Sequence, residues 1–187
     1  AITPPSLEEC SIFIVIEDAK LKLYSPLLHI ITAQTLEYLS SRTATKDSMT
    51  ILLALDEFVS LGHLEITEAL RKLRKRKVRI MVLTQSIADL DMMYGRLERM
   101  SMMANFKYVA VLSANDSDTQ EYLARLAGRH EVQSTSVSIS ARSTTRTHSK
   151  SKDYIIDPHE FSHLGNHIIL IHDRGVLRLK KDFYYKH

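Results

Sequence analysis

The chain has 187 residues, 44% of them hydrophobic and 25% charged, with a formal net charge of +3. That length allows one core of ordinary size, the composition is that of a soluble globular protein, and no apolar run approaches the roughly 20 residues needed to cross a bilayer. The single cysteine, Cys10, excludes an internal disulfide framework and fits a reducing compartment, and so mild a charge permits nucleic-acid contact without arguing for it. Residues 1–10 are polar and proline-bearing, unlike a signal peptide, and the start at Ala1 suggests an excised segment.

Short apolar runs alternate with longer amphipathic ones along the chain. "SIFIVIED" (11–18) predicts a buried strand, and "SPLLHIITAQTLEYLSSR" (25–42) a helix with Ser25 as N-cap and Pro26 at its first position. "MTILLAL" (49–55) is a strand too apolar for a solvent face, as a parallel sheet covered on both sides requires. The spacing of Ile66, Leu70 and Leu73 predicts a helix over 64–76, followed by a strand, "VRIMVLTQ" (78–85). A short helix over 86–95 is bounded by Ser86 as cap and Gly95 as stop. A strand at 106–112 and a capped helix over 115–128 come next. The β-α rhythm implies a single α/β domain over 1–187, with a parallel sheet flanked by helices and active residues at the strand C-termini. The rhythm breaks at "STSVSISARSTTRTHSKSK" (134–152), basic and Ser/Thr-rich, whose first part alternates like an exposed strand and whose remainder reads as a mobile loop. A short helix, "DPHEFSHLG", and a C-terminal β-hairpin over 167–185, turning on Asp173, Arg174 and Gly175, complete the chain.

"TILLALDEFVSLG" (50–62) carries the most informative pair of residues. In nucleotide motors a buried strand ends in an Asp, which orders magnesium through water, and then a Glu, which polarises the attacking water. Asp56 and Glu57 fit those positions, although an acidic pair where a strand meets solvent is common. The next strand ends in Thr84-Gln85-Ser86, and parallel pairing would set Gln85 beside the two acids. A neutral amide there can report a γ-phosphate by hydrogen bonding without competing for the metal; otherwise it caps the helix that follows.

"LLALDEFVSLGHL", "RKVRIMVLTQSIADLDMMYG" and "ANFKYVAVLSANDSDTQEYLARLAG" resemble the C-terminal half of the motor domain of type IV coupling proteins, the TraG/TraD family. "YSPLLHIITAQTLEYL" and "IIDPHEFSHLGNHIILIHDRGVLRLKKDFYY" look like its flanking segments, and the DEF-x-x-LG turn with the TQS-x-x-x-L-x-x-x-YG block is the most specific part. The resemblance implies a RecA-like P-loop NTPase fold in a membrane-anchored hexameric ATPase that feeds DNA and relaxase into a conjugative secretion channel. ATP and magnesium would be its cofactors. DNA, relaxosome proteins, channel components and further copies of the chain would be its partners, and the cytoplasmic face of the bacterial inner membrane its location. Asp56 and Glu57 would be the second-phosphate-motif acids, Asp56 the water-mediated magnesium ligand, Gln85 the sensor, and Arg74 the arginine supplied to a neighbouring subunit, with Arg71 and Arg76 as rivals.

No G-x-x-x-x-G-K-[ST] occurs, since none of the five glycines has that spacing, so the phosphate cradle is missing. The resemblance makes the chain the downstream part of such a motor, expected to be inactive alone and to carry no cofactor. "HEFSH" (159–163) matches the zinc motif H-E-x-x-H, but Pro158 and Gly165 bound a helix too short for a zinc protease, and no metal is expected. "RKLRKRK" (71–77) offers Arg71, Lys72 and Lys75 for phosphates or a partner, or simply places cations at a helix C-terminus; Arg142 and Arg146 pose the same choice. Two alternatives stay open: a non-catalytic module that docks relaxosome or channel proteins, and another RecA-like DNA-pumping or secretion ATPase.

Overall fold

The structure is a computed structural model that describes residues 2–140 and 143–183, and the side chains of these residues outside 134–149. It contains two compact units, Ala1–Phe106 and Lys107–His187.

The first unit opens with a 3-10 turn at Pro4–Glu8 and then runs without strand pairing over residues 11–17. The strand expected at 11–18 is therefore not formed. A strand needs a neighbour for its backbone N–H and C=O groups, and here Phe13 stays 85% exposed while Asp18 already belongs to a helix. That helix, α1 (Asp18–Ser41), starts seven residues before the expected cap and carries Pro26 inside it. Ser25 is not the cap: its hydroxyl donates to the Ser60 carbonyl at 2.6 Å. Strand β1 (Ile51–Leu55) leads into a 3-10 turn (Phe58–Leu61), helix α2 (Ile66–Leu73), a second 3-10 turn (Arg74–Arg76), strand β2 (Val78–Val82) and helix α3 (Ile87–Met103).

β1 and β2 pair in parallel, with Ile51 opposite Val78 and Leu55 opposite Val82. Ile51, Leu55 and Val78 point into a core shared with Leu39, Phe58, Leu64, Ile66, Leu73, Leu90 and Met102. Each such side chain contributes about 1.5–3 kcal/mol when fully buried. The expected cover on both faces is not found. Leu52, Ala54, Arg79 and Met81 alternate onto an open face, with Leu52 61% exposed. Period-2 alternation divides even an all-apolar strand into two faces, and the sequence cannot say which of them will be packed.

The second unit contains β3 (Tyr108–Val111), α4 (Ser117–Ala127), β4 (Arg129–Ser140), β5 (Ser143–Tyr154), a 3-10 turn (Pro158–Ser162), β6 (His167–His172) and β7 (Gly175–Lys180). β3 pairs antiparallel with β6, and β6 with β7, so this sheet is antiparallel throughout. Val111, Leu123, Ala124, Phe161, Ile169 and Ile171 form its core. The Asp116 side chain caps α4 by accepting from the Thr119 amide at 2.8 Å. The C-terminal hairpin turns on Asp173 and Arg174, with His172 opposite Gly175. Residues 143–152, read as a loop, instead pair along β4 from Ser140↔Ser143 to Arg129↔Tyr154. Their Ser/Thr composition suggested solvation, yet Thr144, Thr145 and Thr147 are β-branched and favour extended backbone.

Candidate functional site

The two acids sit where the chain leaves β1. The Leu83 amide donates to the Leu55 carbonyl at 2.9 Å, and the Phe58 amide donates to the Leu83 carbonyl at 3.1 Å. Residues 56 and 57 span the bend between these bonds, and Glu57 takes the left-handed conformation, φ 44° and ψ 48°. For a residue with a side chain this costs about 1–2 kcal/mol, so the surrounding contacts must impose it. Its amide donates to Asp56 Oδ1 at 3.0 Å. Gln85 Nε2 donates to Glu57 Oε1 at 3.1 Å. The parallel register thus brings Gln85 onto Glu57. All three side chains are exposed, so the low-dielectric cleft that a water-activating carboxylate needs is not closed within this chain.

The bend is held from below. Phe58 is fully buried and stacks on Tyr94, with ring centroids 5.5 Å apart and planes 3° from parallel. The Tyr94 hydroxyl accepts from the Leu64 amide at 3.2 Å and donates to the Gly62 carbonyl at 3.4 Å. Burial pushes this phenol up to about 12. His29 Nδ1 lies 3.0 Å from the Leu61 carbonyl, which can only accept, so that nitrogen carries the proton. With Ser25 on Ser60, α1 grips the same turn twice. The DEF-x-x-LG and YG stretches are therefore one packed assembly: Phe58 and Tyr94 are the ring pair, and the two residues just before Phe58 carry the carboxylates.

From Gln85 the chain enters α3, capped by the Ser86 hydroxyl, which accepts from the Asp89 amide at 3.1 Å. Gly95 does interrupt the helix (φ 74°, ψ 156°), as expected of a stop, but a second helical segment continues to Met103. A bidentate ion pair spans the kink: Arg99 donates to Asp91 at 2.9 and 3.3 Å, and Arg99 is 5% exposed.

Arg74 lies elsewhere. It begins the turn preceding β2, whereas Gln85 follows β2, and the strand alone separates them by about 13 Å. Arg71 donates to the Ser101 hydroxyl at 3.1 Å, Lys72 pairs with Glu68, and Lys75 lies exposed on the same surface. Arg76 donates to the Arg42 carbonyl at 2.6 Å. Arg142 and the Arg146 side chain lie outside the described residues; the Arg146 backbone pairs with Val137. In "HEFSH", His163 Nδ1 faces the His159 carbonyl at 3.1 Å and His159 Nδ1 faces Asp157 at 2.9 Å. Among the described residues no group of three or more His, Cys, Asp or Glu side chains converges on a metal position. Magnesium suits the acids in another way: it is bound through one or two carboxylates plus phosphates and retained waters. Asp56 has one oxygen engaged by its neighbour's amide, which leaves the other open.

The family model described as "Type IV secretory system Conjugative DNA transfer" matches residues 6–187. The chain belongs to this family. The conjugal transfer protein TraG of Agrobacterium fabrum is 28% identical over 159 residues, covering 82% of this chain and 24% of that protein. Protein VirD4 of the same organism is 25% identical over 188 residues, covering 93% and 27%. The chain thus spans about a quarter of the relatives it matches. Among solved structures, the unbound conjugative coupling protein TrwBdeltaN70 superposes with a TM-score of 0.82 at 23% identity, over 98% of this chain and 45% of that one. TrwB in complex with ADP and Mg2+ gives 0.79 at 22%, over 98% and 44%. The fold is that of TrwB, in line with what the sequence resemblance implied, and the family is that of type IV secretory conjugative DNA transfer.

Two determinants escaped the sequence reading. Nothing marks Glu57 as left-handed, because the position carries no glycine. The Glu8–Arg42 pair joins residues 34 apart: Arg42 donates to the two Glu8 oxygens at 2.5 and 2.7 Å, and with Nη1 to the Arg76 carbonyl at 2.7 Å.

Proposed function

We propose that both units belong to the motor domain of a conjugative coupling protein, supplying the carboxylate and sensor half of an ATP site that drives DNA into a type IV secretion channel. The observation that carries this reading is the 3.1 Å contact between Gln85 and Glu57 at the C-terminal ends of two parallel strands. That is where α/β sheets place ligands and where a phosphoryl-transfer site keeps its acids.

Bound magnesium would neutralise charge developing on the transferred phosphoryl group. Asp56 would hold a metal-bound water through its free oxygen. Glu57 would accept a proton from the attacking water at Oε2, the oxygen Gln85 leaves open. Gln85 would turn its amide from Glu57 towards a phosphate oxygen. Arg74, too far from these groups in its own copy, would act on the site of a neighbour in a ring. TrwB bound to ADP and Mg2+ supports the choice of nucleotide and metal. DNA, relaxosome proteins and channel components would be the partners, at the cytoplasmic face of the inner membrane. Among the described residues no helix is long and apolar enough to cross a membrane. This chain by itself, without an amide cradle for phosphate, would neither bind ATP tightly nor hydrolyse it.

The test is Glu57→Gln in the gene encoding this chain, read as DNA transfer between cells. Loss of a general base predicts a fall of about 10²–10⁴-fold with the protein present at normal level. Transfer at the unaltered rate would refute the motor role and leave a docking module that needs no chemistry.

A further inference from the structure

The end of the first unit opposite the carboxylates carries a second feature. A cleft of about 300 Å³ is lined by Thr43, Ala44, Arg71, Lys72, Lys75 and Arg76. Arg71 and Lys75, and likewise Lys72 and Arg76, stand four residues apart, and like charges at that spacing destabilise a helical turn. The helix dipole welcomes one or two cations in a last turn but does not explain a lined concavity of four. Lys75 has no partner among the described residues, while Arg76 and Arg71 are held in place by the Arg42 carbonyl and the Ser101 hydroxyl. Arg76 is held from behind as well, because the buried Arg42 is clamped by Glu8 and donates to the Arg76 carbonyl.

We infer that this cleft binds the phosphodiester backbone of DNA, independently of base sequence and of nucleotide at Asp56 and Glu57. The lining offers point charges and forked guanidinium donors that match phosphate oxygens. It has no aromatic side chain for base stacking, so sequence would go unread. It also has no large apolar side chain to enter a bilayer, which favours nucleic acid over an anionic membrane surface. The site itself stands on the cleft; only its role in transport rests on the motor reading.

The experiment is fluorescence anisotropy of this chain with a labelled single-stranded oligonucleotide across a salt series, without ATP. Each phosphate neutralised adds about 0.7 to the slope of log K against log salt. The triple variant Arg71→Ala, Lys72→Ala, Lys75→Ala should lower that slope by about 2 and weaken binding at least tenfold at low salt. Lys75→Ala alone, at a residue with no internal partner to lose, should lower it by about 0.7. Lys20→Ala, Lys22→Ala, Arg125→Ala, with the same loss of charge, should leave the slope within about 0.5 of the unaltered chain. Equal losses from both triple variants, or an unchanged slope in the cleft variants, would overturn the proposal. So would tighter binding to phosphatidylserine vesicles than to the oligonucleotide, or saturation of the cleft by millimolar inorganic phosphate without displacement of DNA. Glu57→Gln should leave this binding unchanged, so failure of the cleft and failure of the ATP site can be told apart.

Discussion

Replacing Tyr94 with Phe removes one oxygen atom and keeps the ring that stacks on Phe58. The hydroxyl satisfies the Leu64 amide at 3.2 Å, and Leu64 is 2% exposed. An orphaned buried backbone donor costs about 1–3 kcal/mol, and the longer 3.4 Å bond to the Gly62 carbonyl adds little. The expected loss is therefore about 1–2 kcal/mol. Two measurements read it: the urea midpoint of the first unit, and exchange of the Leu64 amide by NMR, which should quicken about 5–30-fold if that energy governs its opening. The phenol also gives a pH signature. Its folded pKa, about 12 against an ordinary value of 10, lies on the raised side, so its stabilisation is fully present below pH 10 and is lost as pH rises through 12. Tyr94→Phe should flatten that alkaline limb. A stability change under about 0.5 kcal/mol, the range of an ordinary surface substitution, together with unchanged Leu64 exchange, would refute the account of how the bend is held.

Two further outcomes follow from the geometry. Glu57→Gly should leave thermal stability unchanged or raise it by up to about 1 kcal/mol, because glycine carries no left-handed penalty, while DNA transfer falls as it does in Glu57→Gln; a marked fall in melting temperature would show that Glu57 is there for structure. The Arg42 guanidinium holds the Glu8 carboxyl below its usual 4.5, so that pair stabilises the fold above pH 4.5 and loses its effect as pH falls through the lowered value. Glu8→Gln should cost about 1–3 kcal/mol at neutral pH and flatten the acid limb in a denaturation series.

Much of the site was legible because it is local. A strand ending in two acids, a second ending in Gln85, and the parallel pairing that a helical crossover enforces are sufficient to place the amide on the carboxylate. Helix caps with short reach were legible for the same reason, Ser86 by name and the capped start of the 115–128 helix, where Asp116 accepts from the Thr119 amide. What the sequence hid depends on partners distant along the chain. An apolar run such as 11–17 is a strand only if a neighbour offers its edge, and within the described residues none does. Ser25 reads as a cap until the Ser60 carbonyl is placed beside it. β3 follows a helix as a parallel strand would, yet its neighbour is β6, some sixty residues later and antiparallel. The Ser/Thr-rich stretch could be read by composition or by β-branching, and pairing along twelve registered positions favoured the latter.

The openness of the β1–β2 face has a practical corollary. Two parallel strands are a marginal structure in water, and here one side of the ribbon shows Leu52 and Met81 to solvent. The acids at its tip are thus carried less by the ribbon than by the rings beneath it, and apolar side chains left open around Arg79 invite self-association. Concentrated preparations of the chain will therefore be governed by those side chains: clouding on warming, recovery with mild detergent, and a solubility that improves when Leu52 is made polar while the carboxylates stay in place.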